Sequence, residues 1–268
     1  MVSVVSVSRD LTAFEELADG PWANLMLGAV TLPPLPPEQL QRDWCGNAGV
    51  PLAEQSADFY SLLKKVYARH SRKPLRKSTV LDFGCGWGRL TRLFGKDLPP
   101  SQIFGCDSDP QILEWCRQIP GTFRQSETRL RHLPFDERFD LIFAFSVFTH
   151  LGPETHEAAL SVLHDSLASG GLIVVTIRPR SFLEIRGAEL STLSDAAAQK
   201  LLADYDAGEF VYHPYNLPPI DGEVPYGEAV IPLAYVHKSW TDRFEILEKP
   251  PVYASDPYQR PLVLRRRT

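Results

Sequence analysis

Hydrophobic residues recur every three to four positions between Glu54 and His70. That spacing places them on one side of a helix and leaves the opposite side polar. The pattern therefore predicts an amphipathic helix over this stretch. Its apolar face is formed by Phe59, Leu62, Leu63, Val66 and Tyr67.

From Thr79 onwards, short apolar runs alternate with helical segments. The runs predict strands at Thr79–Phe83, Ile103–Cys106, Thr122–Gln125, Phe139–Phe145 and Leu172–Ile177. The segments between them predict helices at Arg89–Asp97, Pro110–Ile119 and Pro153–Ala168, with Gly170 and Gly171 stopping the last one. Strands that are apolar at nearly every position are typical of a parallel sheet covered by helices on both faces. The predicted fold class is a doubly wound α/β protein.

Such a sheet binds ligands beyond the carboxyl ends of its strands. The residues that follow Phe83, Cys106, Gln125 and Phe145 are therefore the first place to look for function. Beyond Arg178 the pattern predicts a helix from about Ser194 to Tyr205 and then a segment rich in Pro, Gly and Tyr. A final pair of strands is predicted at Phe244–Glu248 and Leu262–Arg266.

Composition narrows the class of protein without naming a function. The 268 residues are 44% hydrophobic and 23% charged, which is ordinary for a globular chain. The formal net charge of -5 argues against a protein that coats nucleic acid. The longest apolar runs are too short to span a bilayer, and Met1–Asp10 has no leader pattern.

The four cysteines contain no C-x-x-C pair, so no zinc site is expected. A chain of this length also does not have the cysteine density of a disulfide scaffold, and reduced thiols in a cytoplasmic protein are expected. We expect neither a nucleic-acid nor a membrane partner. The oligomeric state is not readable from the sequence.

Three glycines at alternate positions follow the first predicted strand, at Gly84, Gly86 and Gly88. Glycine is needed where the backbone turns sharply and where a ligand approaches it closely. The dinucleotide fingerprint requires a third glycine at position 89, where the chain has Arg89. Asp82, at the strand end, suits a ligand with a positive centre. The alternative is that the glycines serve only the packing of a tight turn.

Asp107 ends the second predicted strand, roughly 20 residues after the glycine turn, where a carboxylate can accept both hydroxyls of a ribose. The alternative role for Asp107 is a structural strand-end residue. Ser108 or Asp109 is expected to cap the helix that starts at Pro110.

Together, the segments Val80–Arg92, Gly105–Pro110 and Leu133–Leu151 resemble the class I S-adenosylmethionine-dependent methyltransferases. The resemblance covers roughly residues 76–180. It implies a mostly parallel, Rossmann-like sheet of seven strands whose last strand is antiparallel, and S-adenosylmethionine as the cofactor. The implied cofactor-binding residues are Asp82, Gly84, Cys85, Gly86, Asp107, Ser108, Ser126, Glu127, Phe145 and Ser146.

The resemblance also gives each group of these residues a role. Gly84, Cys85 and Gly86 would line the methionine part, with Asp82 nearby, and Asp107 would hold the ribose. Ser126 and Glu127 would flank the adenine, and Phe145 and Ser146 would border the cofactor.

The predicted organisation is an N-terminal extension with a cap helix over residues 1–75 and a Rossmann-like domain over 76–268. An acceptor-side insertion rich in Pro and Tyr is expected at about 180–245. The helix Glu54–His70 either covers the cofactor or only packs on the domain.

The leading hypothesis is methyl transfer to a small-molecule hydroxyl or amine, such as a sugar or a secondary metabolite. His150 follows the fourth predicted strand and could take the acceptor proton as a general base. The alternative is that His150 only orders its loop or caps the helix that starts at Pro153. The alternatives are a protein or RNA methyltransferase, a non-catalytic cofactor-binding partner subunit, and a nicotinamide oxidoreductase, which Arg89 disfavours.

Overall fold

The computed structural model describes residue 11 and residues 14–28, 34–186, 194–252 and 255–267. Residues 1–10, on which the expectation about a leader rests, lie outside this range. The chain forms two compact units, residues 1–125 and 126–268. The predicted boundary near residue 75 stays a prediction.

Three helices open the first unit: α1 (Asp19–Leu27), α2 (Glu38–Cys45) and α3 (Gly49–His70). Helix α3 contains the predicted helix and starts five residues earlier, at Gly49. It buries the expected apolar face, including Phe59, Leu63, Val66 and Tyr67, against neighbours that include α1. The Trp22 indole of α1 donates to the Leu93 carbonyl at 2.8 Å. The hydrophobic stripe thus fixes where α3 packs.

Three parallel strands follow: β1 (Val80–Phe83), β2 (Ile103–Asp107) and β3 (Thr122–Gln125). The segments that connect these three strands differ from the predicted helices. Where Arg89–Asp97 was expected to be α-helical, there is a 3-10 helix at Thr91–Lys96, and every residue of it is buried. Packing on all sides of this segment, rather than a single apolar face, therefore determines its backbone conformation. The other predicted helix is α4 (Pro110–Leu113), continued by a 3-10 turn at Glu114–Gln118.

The second unit begins its regular structure with β4 (Phe139–Ala144), α5 (Pro153–Ser166) and β5 (Leu167–Ile177). The prediction that α5 runs to Ala168 and is stopped by glycines was wrong, because Leu167 already adopts extended backbone. Gly170 and Gly171 lie inside β5, close to an irregularity in its register with β4. A bulge of this kind uses the backbone freedom of glycine.

The rest of the second unit contains α6 (Arg180–Arg186), α7 (Asp195–Asp206), β6 (Val211–Pro214), β7 (Gly227–Val230), α8 (Leu233–Ser239), β8 (Phe244–Glu248) and β9 (Arg260–Arg266). Ser194 caps α7, as its side chain accepts from the Ala197 amide. Strands β6 and β7 form a separate two-stranded antiparallel sheet.

The main sheet has seven strands in the order β3-β2-β1-β4-β5-β9-β8. Strand β9 is antiparallel to both β5 and β8. The predicted fold class, a mostly parallel doubly wound sheet with an antiparallel last strand, is confirmed. None of the helices in the described residues has the length and apolar character needed to cross a membrane.

One buried residue of the second unit links stability to pH. The His156 ring lies among Phe148, Phe210 and Trp240, and within the described residues neither of its nitrogens has a hydrogen-bond partner. Burial, together with the charge of Arg243, lowers its pKa from 6.5 to about 3. The ring is therefore neutral in the folded chain at physiological pH.

Acid is therefore expected to destabilise the fold through His156. Between pH 6.5 and 3 the unfolded chain binds a proton that the folded chain does not, so the free energy of unfolding falls as pH falls. The expected slope is about 1.4 kcal/mol per pH unit. The variant His156→Phe should show a flatter decline in thermal denaturation between pH 7 and pH 4. Parallel declines in the two proteins would contradict this assignment.

Candidate functional site

The glycine turn is held by the end of the neighbouring strand. The amides of Gly84 and Cys85 both donate to the Cys106 carbonyl, at 2.8 and 3.0 Å. Gly84, Gly86 and Gly88 have φ angles of +71°, +53° and +76°. These angles favour glycine, so the backbone conformation alone accounts for glycine at the three positions.

Asp107 lies at the carboxyl end of β2 and is nearly buried. One carboxylate oxygen accepts from the Gly86 amide at 2.8 Å, and the other accepts from the Asp109 amide at 3.0 Å. Burial raises the pKa of this carboxyl, and the backbone hydrogen bonds partly oppose that shift. Asp109 is the predicted N-cap of α4, since its side chain accepts from the Gln111 amide at 2.8 Å.

This arrangement fits the ribose of an adenosine. A carboxylate has about four lone-pair sites; the backbone amides of Gly86 and Asp109 occupy two of them, and the Ser108 amide also stabilises the Asp107 charge. The two amides also fix the orientation of the Asp107 carboxylate. Ser108, the next residue, accepts from the Gln125 side chain through its carbonyl at 3.1 Å.

Asp82, which was predicted to suit a ligand with a positive centre, is a buried residue of β1. It is 3% exposed, and the Thr91 hydroxyl donates to its carboxylate at 2.5 Å. Desolvation raises its pKa to about 7. Its visible structural role is to tie the end of β1 to the 3-10 helix, and its proximity to a cofactor stays a prediction.

Two buried thiols support the middle of the glycine turn. The Cys116 thiol donates to the Gly86 carbonyl at 3.4 Å, and Cys85 lies buried next to it in the same apolar cluster. Burial holds the pKa of the Cys85 thiol well above its ordinary value. Cys85 is thus a neutral thiol packed against the turn, and its predicted contact with the methionine part stays a prediction.

The remaining predicted cofactor residues belong to the second unit. Ser126 is buried, and the Glu127 carboxylate accepts from the Arg131 amide at 3.1 Å. Phe145 and Ser146 follow β4, and Ser146 has a φ of +61°, which is unusual for a residue with a side chain. The Ser146 amide donates to the Thr176 hydroxyl at 2.8 Å. Their roles toward a cofactor stay predictions.

His150 lies in a polar cluster that we call the His150 cluster, made of His150, Arg178, Tyr215 and Glu228. The His150 Nδ1 atom is 3.0 Å from both the Gly227 carbonyl and the Tyr215 hydroxyl. Arg178 approaches His150 Nε2 at 3.2 Å and forms an ion pair with Glu228. The Tyr215 hydroxyl donates to Glu228 at 2.7 Å.

These partners assign the protonation state of His150. The Gly227 carbonyl only accepts, so Nδ1 carries the hydrogen, and a guanidinium only donates, so Nε2 carries the lone pair. Burial and the Arg178 charge lower the pKa of His150 to about 4. The imidazole is therefore neutral at pH 7, but its lone pair already faces Arg178. A role as general base stays a prediction.

Sequence reasoning did not find three members of this cluster as functional residues. Arg178 directly follows β5, so the rule about carboxyl ends of strands could have pointed to it. Tyr215 lies in the segment rich in Pro and Tyr, where no motif singled it out. Glu228 lies on β7, and nothing in its local sequence signals its pairing with Arg178.

Comparison with known proteins supports the predicted family. Residues 80–171, from β1 into β5, match the family model described as a methyltransferase domain. This region is therefore similar to methyltransferase domains. The match covers the glycine turn and Asp107, and the predicted family is confirmed.

Curated proteins that are similar to the methyltransferase domain are named for different substrates. A trans-aconitate 2-methyltransferase from Rhizobium rhizogenes is 33% identical over 131 residues, which are 47% of this chain and 50% of that protein. A probable fatty acid methyltransferase from Pseudomonas putida is 29% identical over 35% of this chain and 25% of that protein. The chain thus spans about half the length, or less, of these relatives.

Solved structures show the same fold as the methyltransferase domain and its flanking segments. Magnesium protoporphyrin IX methyltransferase from Synechocystis PCC 6803, crystallised with bound SAH, has a TM-score of 0.55 and 15% identity over 96% of both chains. A protein from Pyrococcus horikoshii has a TM-score of 0.53 and 16% identity over 78% of this chain and 90% of its own. At these identities the likeness establishes the fold alone.

Proposed function

We propose that this protein transfers a methyl group from S-adenosylmethionine to a hydroxyl or an amine of a small molecule. The proposal that S-adenosylmethionine is the methyl donor rests on the Asp107 carboxylate. The amides of Gly86 and Asp109 hold this carboxylate at the end of β2. A ribose binds to such a carboxylate, and its 5′ substituent then faces the glycine turn.

When bound, the cofactor supplies a methyl group already activated on a positively charged sulfur. Asp107 would accept the two ribose hydroxyls, and the backbone of the glycine turn would let the methionine part approach. Holding the two reactants in line supplies roughly 7–11 kcal/mol of the barrier. Alignment therefore matters more here than a strong acid or base, which contributes about 10²- to 10⁴-fold.

For the acceptor we propose the His150 cluster, at the carboxyl ends of β4 and β5. A hydroxyl or amine loses a proton as it takes the methyl group, and the neutral His150 imidazole would take that proton at Nε2 once Arg178 turns away from it toward Glu228. The relatives named for trans-aconitate support a small-molecule acceptor. The acidic net charge of -5 supports it against RNA.

Ligand-induced stabilisation tests the proposal. S-adenosylmethionine and S-adenosylhomocysteine at 100 times their Kd should each raise the free energy of unfolding by about 2.7 kcal/mol, and NAD should not. Acceptor pools of small hydroxyl and amine compounds, peptides and RNA are then compared by formation of S-adenosylhomocysteine. Stabilisation by NAD alone would overturn the cofactor assignment, and turnover only with peptide or RNA would overturn the acceptor class.

A further inference from the structure

Trp44 lies directly against the glycine turn. The Cε3 and Cζ3 atoms of its ring are 3.5 and 3.6 Å from the point where a side chain on Gly86 would begin. The ring is in van der Waals contact range of that point, yet Trp44 is 46% exposed. A large aromatic residue is usually more buried than this. The exposed part of the ring is surface that a ligand at the turn can cover.

The local structure directs Trp44 to this place. It lies in the last turn of α2, which ends at Gly46 in the left-handed region with a φ of +74°. The start of the helix is fixed by Gln41, whose buried side-chain amide donates to the Pro36 carbonyl at 2.8 Å. The position of the ring thus follows from how α2 begins and ends.

The Trp44 ring and the Asp107 carboxylate both lie against Gly86. The Gly86 amide donates to Asp107, and the same Gly86 presents its side-chain position to the Trp44 ring. With the ribose on Asp107, the 5′ substituent faces the glycine turn. In S-adenosylmethionine that substituent is a sulfonium cation, and in the product it is an uncharged thioether.

We propose that Trp44 is a cofactor-contacting residue that favours the sulfonium substrate over the thioether product. The face of an indole carries negative electrostatic potential and attracts a cation. Methyl transfer removes the charge from the sulfur and with it this attraction. Trp44 therefore lowers the relative affinity for S-adenosylhomocysteine and limits product inhibition. This inference rests on the proposed cofactor.

Isothermal titration of the purified chain without acceptor tests the inference, with binding as its readout. The ratio of the Kd for S-adenosylhomocysteine to the Kd for S-adenosylmethionine is measured in the wild type, Trp44→Phe and Trp44→Leu. Leucine removes the aromatic face, so the ratio should fall about three- to tenfold. Phenylalanine keeps a weaker face and should give an intermediate ratio.

Trp115→Leu is the matched control, because Trp115 belongs to the same unit and lines a surface pocket with Pro34 and Gln118, but it has no atom within 4 Å of the side-chain position of Gly86. Its ratio should equal that of the wild type. If Trp44→Leu loses affinity equally for both ligands, Trp44 only covers the cofactor with apolar surface. That result would overturn the proposal that Trp44 distinguishes the charged sulfonium from the uncharged thioether. No change in either affinity would show that Trp44 does not touch the cofactor. If the wild type binds neither ligand, the proposed function fails as well.

Discussion

Replacing Asp107 with alanine is expected to weaken binding of S-adenosylhomocysteine by at least about 100-fold. The substitution removes the acceptor for two ribose hydroxyls. A hydrogen bond to a charged group contributes about 1.5–3 kcal/mol, so losing two costs about 3–6 kcal/mol. It also leaves the Gly86 and Asp109 amides without their hydrogen-bond acceptor. Titration calorimetry measures the affinity directly.

Asp107→Asn is the informative companion variant. Asparagine keeps the shape and one acceptor oxygen but cannot accept at both positions, so its affinity should fall between those of the wild type and Asp107→Ala. Thermal denaturation without ligand must show that both variants remain folded. An affinity for S-adenosylhomocysteine that does not change in folded Asp107→Ala would show that Asp107 is only a structural strand-end residue.

Gly88→Ala is expected to cost about 2–5 kcal/mol of unfolding free energy. Gly88 has a φ of +76°, and a Cβ atom there would lie 2.3 Å from the end of the Ile119 side chain and 3.1 Å from the Cys116 sulfur. The left-handed conformation costs about 1–2 kcal/mol with a side chain. Overpacking against Ile119 and Cys116, which are both buried, adds about 1–3 kcal/mol.

Gly46→Ala separates these two contributions. Gly46 has a φ of +74°, almost the same as Gly88, but an added Cβ would meet no atom within 4 Å. We therefore expect only the conformational cost of about 1–2 kcal/mol there. Guanidinium unfolding of both variants gives the two free energies. Equal losses would mean that Ile119 and Cys116 move aside without cost.

Much of the fold, and the glycine turn with Asp107 beside it, follow from local pattern. The runs at Thr122–Gln125 and Phe244–Glu248 are strands with the bounds that the pattern predicted. Gly84, Gly86 and Asp107 were found from the sequence because a strand end, a tight turn and an acid at fixed spacing are neighbours along the chain. The 3-10 helix at Thr91–Lys96 was not predicted from the sequence, because its buried surroundings override local helix propensity.

The sequence by itself determined the alternation of strands and helices, the glycine turn and the acid that faces it. Only the tertiary structure decided which side chains meet. Trp44 reaches Gly86 across about forty positions, and Glu228 pairs with Arg178 across about fifty. Periodicity and spacing describe interactions between near neighbours along the chain, whereas these contacts form only when the helices and strands pack together.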